Sequence, residues 1–212
     1  MEPLYPPNLA ACRDTGSSTR RLHAAFRRFP RSLFARAACE SPQEADLDAF
    51  PEHLLPPLLE ALALTGRERV LEIGSATSYL TALLSHLAGE VYSVSADPAL
   101  AEERARDLSA LGCGNVQVVH GTLRAGWPLG APYQAVIVGA GVPEVPRELV
   151  DQLDLQGRLI VPIGDQNAQM LECLRKRKDA LSSETLGGCR MKMLAGAPRS
   201  RSSYPWTGRD TA

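Results

Sequence analysis

No stretch of this chain keeps together the roughly 18 uncharged apolar residues of a membrane helix, so no membrane span is expected. An excess of one charge is missing too. The formal net charge is −1, whereas a protein that coats nucleic acid usually carries a strongly basic face. Neither a membrane nor a nucleic-acid partner is therefore expected. The five cysteines, at 12, 39, 113, 173 and 189, are odd in number and scattered. They offer no Cys-x-x-Cys or Cys/His spacing, so no zinc or redox pair and no metal site is expected. The opening Met-Glu-Pro-Leu-Tyr-Pro-Pro lacks both the basic and the apolar part of a secretory signal. A reduced, cytoplasmic protein is the simplest expectation. Glycine is thin at a telling place: Gly74 stands alone after an apolar run, with Ala76 and Ser78 where a fuller loop would repeat it. The missing second and third glycines weigh against an NAD-type dehydrogenase.

What is present is organised around Val70 to Tyr79, read as Val-Leu-Glu-Ile-Gly-Ser-Ala-Thr-Ser-Tyr. A β-type run ends in an acid and a glycine, then opens into an amphipathic helix. Parallel α/β sheets begin a nucleotide or nucleoside site in this way, because the glycine lets the backbone turn under a ligand and the helix start offers free N–H groups. The 212 residues are enough for one domain with a sizeable core. Hydrophobic content of 44% and charged content of 22% are ordinary globular values.

Around that centre the pattern alternates. Residues 1–50 are irregular and locally basic, with Arg13, Arg20, Arg21, Arg27, Arg28, Arg31 and Arg36 read as a solvated face; Leu22, Ala25, Phe26 and Phe34 suggest short helices leaning on the core. A helix is expected over 51–64, a strand over 69–73, a helix over 79–88, a strand over 90–95, and a helix from Pro98 carrying Leu100, Ala101, Ala105, Leu108 and Leu111. Strands then follow at 116–119 and 135–138, a helix at 146–155 and a strand at 158–163. Alternating strands and helices imply a Rossmann-like, doubly wound, mostly parallel α/β sheet with right-handed crossovers. Two final strands, 169–176 and 189–194, fit an antiparallel C-terminal edge, and the chain from 196 reads as a flexible tail. The organisation expected is therefore an N-terminal segment (1–50), an α/β domain (51–195) and a tail (196–212).

Arg69-Val-Leu-Glu-Ile-Gly, Val91-Tyr-Ser-Val and Asn115-Val-Gln-Val-Val-His-Gly together resemble class I methyltransferases that use S-adenosylmethionine. Gly126-Trp-Pro, Ala131-Pro-Tyr-Gln-Ala-Val-Ile-Val, Val142-Pro-Glu-Val-Pro and Gly157-Arg-Leu-Ile-Val-Pro-Ile-Gly narrow the likeness to the protein-L-isoaspartate O-methyltransferase family over about 51–195. The resemblance implies S-adenosylmethionine as cofactor and a carboxylate on a protein, peptide or small molecule as acceptor. It places Glu72 and Gly74 at the cofactor's methionine end, with Ser75 in the loop beyond. Ser95 stands where the family has an acid for the ribose, and Asp97 is the nearest carboxylate. Thr122 stands where Gly-Asp-Gly would put an acid near the adenine. The family's Thr-Ile-Ser acceptor stretch is replaced by residues near Phe50, so Asp48, Phe50 and His53 become the candidate substrate contacts, with Asp46 beside them.

Several other residues have structural alternatives. Asp97 suits the N-cap of the Pro98 helix as well as a ribose. His120 at the end of the third strand reads as a site base or a structural residue, and Trp127 and Tyr133 as packing residues. No catalytic residue is named, because methyl transfer from a sulfonium rests mainly on alignment and exclusion of water. Two functions follow. One is an S-adenosylmethionine-dependent O-methyltransferase of the isoaspartate type. The other is a methyltransferase-fold protein that no longer methylates, used for another small-molecule reaction such as a cyclisation or as a binding module; a pocket filled by Phe50 or Tyr79 would favour it.

Overall fold

In the computed structural model, which describes residues 17–34, 50–74, 77–178 and 180–194, seven strands form one sheet in the order β3-β2-β1-β4-β5-β6-β7. The strands are β1 (Arg69–Ile73), β2 (Glu90–Ser95), β3 (Val116–His120), β4 (Tyr133–Val138), β5 (Leu153–Gly164), β6 (Gln169–Lys176) and β7 (Leu181–Cys189). The first five run parallel, and β6 and β7 return antiparallel at the edge. Helices α1 (Ser17–Arg28), α2 (Leu55–Ala61), α3 (Ser78–Leu87), α4 (Pro98–Ala110) and α5 (Arg147–Asp151) cover it.

Period-two alternation sorts the core onto two faces. Val70, Val91, Ala135, Ile137 and Ile160 join the cluster that includes α1, α2 and α3. Leu71, Ile73, Val94, Val136, Val138 and Leu159 join the opposite cluster, with Leu149 and Val150 of α5. Between Val70 on the first face and Leu71 and Ile73 on the second, the alternation assigns Glu72 to the first. A carboxylate is thereby directed into the core beneath α3 and α4.

The expected fold holds, with local corrections. The helix over 51–64 is a short 3-10 turn (Glu52–Leu54) followed by seven residues of α2, since Pro56 and Pro57 sit at its very start. Residue 105 faces solvent and Arg104 is buried instead. The helix expected over 146–155 stops at Asp151, because the Gln152 side chain donates to the carbonyls of Glu148 and Ala125 and accepts from Trp127 N–H. Strand β5 therefore starts at Leu153, and a bulge before Arg158 carries Gln156 at φ 68°. That extra length hides the alternation. The last strand is Leu181–Cys189, not 189–194. Its polar residues suit an edge strand, whose outer side needs no apolar partner.

Helix α1 leans on the core as expected, burying Leu22, Ala25 and Phe26. Arg21 corrects the solvated-face reading. Its guanidinium donates to Leu87 O at 2.9 Å and His86 O at 3.5 Å, at the C-terminal end of α3, and to Leu64 O at 3.3 Å between α2 and β1. Arg21→Met should lower unfolding free energy by about 1–3 kcal/mol in urea titration. A loss below about 0.5 kcal/mol would mean that water serves those carbonyls equally well. Arg13, Arg36, and the tail from 196 lie outside the described residues.

Candidate active site

The strand order reverses between β1 and β4, and a doubly wound sheet binds ligands at the carboxyl ends of its strands at such a point. Gly139 N–H donates to Ile73 O at 2.7 Å and Gly121 N–H to Ser95 O at 2.9 Å, tying the strand ends into one rim. Gly74 lies on that rim at φ 74°, a turn that an L side chain rarely adopts. An added Cβ there would stand 3.6 Å from the Ala140 side chain and 3.9 Å from Leu194. The positive φ, more than crowding, calls for glycine.

Glu72, two residues earlier, is fully buried. Its Oε2 accepts the Thr81 hydroxyl at 2.5 Å and lies 3.8 Å from Arg104 Nη2. The same Nη2 donates to Thr81 Oγ1 at 2.9 Å and to Ser93 Oγ at 3.0 Å. Thr81 thus receives from the guanidinium and gives to the carboxylate. Ser93 is the strand neighbour of Glu72 in the β1–β2 register, so it shares that face. Arg104 is 3% exposed, and burial pulls its guanidinium below its usual range while the Glu72 charge pulls it back. Glu72 Oε1 and Arg104 Nε are buried with no hydrogen-bond partner.

At the end of β2, Ser95 is buried and its hydroxyl donates to Asp97 O at 3.0 Å. Asp97 is the N-cap of α4, its Oδ1 accepting from Ala99 N at 2.8 Å and Leu100 N at 3.2 Å. His120, the last residue of β3, and Thr122 just beyond it are exposed. Glu72, Gly74, Ser95, Asp97, His120 and Thr122 thus lie at the carboxyl ends of three adjacent strands.

The acceptor candidates lie differently. Phe50 is 1% exposed within the core cluster that also holds α1, α2 and α3, whereas His53 is exposed. Tyr79 packs its ring 5.2 Å from Phe34, and burial pushes its phenol up to about 12. Tyr133 is a core residue whose hydroxyl donates to Trp127 O at 2.6 Å. Ser75, Asp46 and Asp48 lie outside the described residues. Among the described residues no three His, Cys, Asp or Glu side chains form a group that could hold a metal ion, and no helix is long and apolar enough to cross a membrane.

The residues that the motif reading missed are Thr81, Ser93 and Arg104. A signal for Arg104 was present: Ala101, Arg104 and Leu108 are spaced three and four apart, which puts the arginine on the buried stripe of α4. A buried arginine calls for a buried acid, and among the described residues Glu72 is the fully buried one.

The sequence model of the protein-L-isoaspartate(D-aspartate) O-methyltransferase family matches residues 10–196. A protein-L-isoaspartate O-methyltransferase 1 of Rhodopseudomonas palustris (strain HaA2) is 44% identical over 166 residues, which are 74% of this chain and 68% of that protein. A protein-L-isoaspartate O-methyltransferase of Syntrophus aciditrophicus is 36% identical over 207 residues, 92% of each chain. A solved protein-L-isoaspartate O-methyltransferase superposes with a TM-score of 0.67 at 27% identity, covering 83% of this chain and 61% of that one. A Plasmodium falciparum protein named as a beta-aspartate methyltransferase, in complex with S-adenosyl-L-homocysteine, superposes with a TM-score of 0.63 at 18% identity, over 87% of this chain and 92% of that one. That second likeness is one of fold.

Proposed function

Because the chain belongs to the protein-L-isoaspartate(D-aspartate) O-methyltransferase family, we propose that it transfers the methyl group of S-adenosylmethionine to the free carboxylate of isoaspartyl residues in proteins and peptides. The fold is the class I methyltransferase fold. The observation that carries the activity is the family match over residues 10–196, which takes in all seven strands and the Glu72–Gly74 turn.

The residues present fit the cofactor. Glu72 Oε1 is a buried acceptor with no partner, suited to an ammonium group. The Gly74 turn brings backbone close without a side chain in the way. At the end of β2, Asp97 keeps Oδ2 outside its N-cap bonds, so it can accept from ribose hydroxyls while Oδ1 caps α4. Ser95 and Thr122 border the same rim; Ser75 and Asp48 lie outside the described residues, Phe50 is taken up by the core, and exposed His53 is the described candidate on the acceptor side. When bound, S-adenosylmethionine supplies an electrophilic methyl on a sulfonium. The chain's part is to hold its acceptor carboxylate in line with that methyl and to keep water out.

A pair of peptides differing only in one isoaspartyl or aspartyl residue tests this, with labelled S-adenosylmethionine and base-labile methyl ester as the readout. The expected result is label on the isoaspartyl peptide alone, with calorimetric cofactor binding in the micromolar range. No ester on either peptide, with no binding near millimolar cofactor, overturns it.

A further inference from the structure

Two charged side chains are sealed beneath the candidate site, and only one of them belongs to the turn that carries it. We infer that Arg104 is a positioning residue for cofactor binding: it supplies the counter-charge of Glu72 on its Oε2 side, leaving Oε1 as the acceptor for the ammonium group of the cofactor. The inference rests on the functional reading above.

The geometry supports it in three ways. First, a carboxylate taken fully out of water takes up a proton unless a charge or donors hold it ionised. Each element packed against Glu72 offers a different group. Strand β2 offers the Ser93 hydroxyl, α3 the Thr81 hydroxyl, β4 the apolar Ile137, and α4 the guanidinium of Arg104. Among the described residues Arg104 is thus the charged group that pairs with Glu72. Second, all the short contacts fall on one oxygen. Thr81 Oγ1 and Arg104 Nη2 both approach Oε2, and Nη2 is fixed in turn by Thr81 and Ser93. Third, the oxygen left over is buried and without a partner, on the residue two before the Gly74 turn. An acceptor so placed is completed by a cationic donor, and the cofactor's ammonium is one.

The neighbours of Arg104 also set what it is worth. A lysine there carries the charge but lacks the fork that reaches Thr81 and Ser93 together. A methionine keeps the volume and loses the charge. A merely structural role should suffer alike from both replacements, and a charge-based one should not.

The test is calorimetric titration of wild-type protein, Arg104→Met and Arg104→Lys with S-adenosylmethionine, S-adenosylhomocysteine and 5′-methylthioadenosine. The last has the nucleoside but no ammonium or carboxylate. Each titration is run in buffers of differing ionisation enthalpy, near pH 6 and pH 8.5. In Arg104→Met, Glu72 takes up a proton and must lose it on binding the ammonium. Affinity for the two amino-acid ligands should therefore fall about tenfold more, relative to wild type, near pH 6 than near pH 8.5, with extra proton release. The amino group of the ligand titrates identically in both proteins, so the difference isolates Glu72. Methylthioadenosine should bind both alike, and Arg104→Lys should restore the wild-type proton count. Equal weakening for all three ligands, or an unchanged proton count in Arg104→Met, overturns the inference while the functional reading stands. Wild-type protein that binds none of the three overturns both. Should Arg104→Met fail to fold, Arg104→Gln, which keeps amide donors for Thr81 and Ser93 but loses the charge, replaces it with the same supporting and overturning results.

Discussion

Glu72→Ala should lower the unfolding free energy by about 3–5 kcal/mol, because it strands the Arg104 guanidinium in the core without its counter-charge. Arg104 is 3% exposed and its remaining partners are neutral hydroxyls on Thr81 and Ser93. Neither hydroxyl replaces a carboxylate. The substitution also leaves a cavity where a fully buried side chain stood, which adds to the loss. Denaturant unfolding of Glu72→Ala, Arg104→Met and the double variant measures the pair directly. The double variant should lose less than the two single variants summed, since it removes both charges together. Strict additivity would mean that the two groups do not couple, and that the 3.8 Å approach contributes nothing.

The second large effect is expected at Gln169. This side chain is 2% exposed and clasps the segment after β7 onto the sheet. Its Nε2 donates to Asp165 O at 2.6 Å and Met191 O at 3.0 Å, with Met193 Sδ at 3.4 Å, and its Oε1 accepts from Met191 N–H at 2.7 Å. The segment so held reaches the rim. Gly141 N–H donates to Lys192 O and Leu194 N–H to Gly141 O, both at 2.8 Å, and Leu194 lies beside Gly74. Gln169→Leu fills the space but leaves the Met191 amide and carbonyl unsatisfied, at a cost of about 2–4 kcal/mol. Amide hydrogen exchange should rise at 191–194 and at Gly141 while β1 and β4 stay protected. Unchanged exchange there would show that the segment docks through Met191 and Leu194 alone. Gly141→Ala attacks the same clasp from the other side, since its Cβ would meet Gln169 Nε2 at 2.7 Å.

Much of this molecule was legible along the chain. The apolar runs at 69–73 and 90–95 are strands with those bounds, and 169–176 is β6 as expected. The acid and glycine at 72 and 74 mark the turn at the switch point of the sheet. Local pattern suffices there, because a strand buried on both faces must be apolar and a sharp turn beneath a ligand must be glycine. Where burial was one-sided or the ladder irregular, the same reading slipped. The alternating Cys189–Leu194 run resembles a strand because Met191 and Leu194 are buried, yet it crosses the rim beside Gly141 rather than forming the sheet edge. The edge strand itself is polar, and β5 begins earlier than its pattern because a bulge interrupts it.

The sequence by itself determined the order of strands and helices as far as β6, the apolar core of the central strands, and the position of the turn that carries the candidate site. Only the tertiary structure decided which polar groups meet inside. Glu72 finds Thr81 nine residues away and Arg104 on the next helix but one along the chain, and Gln169 reaches Met191 across a whole strand. Apolar burial is recorded locally because any apolar neighbour satisfies it. A buried charge or amide is satisfied only by a partner of fixed geometry, and that partner is chosen by how the elements pack.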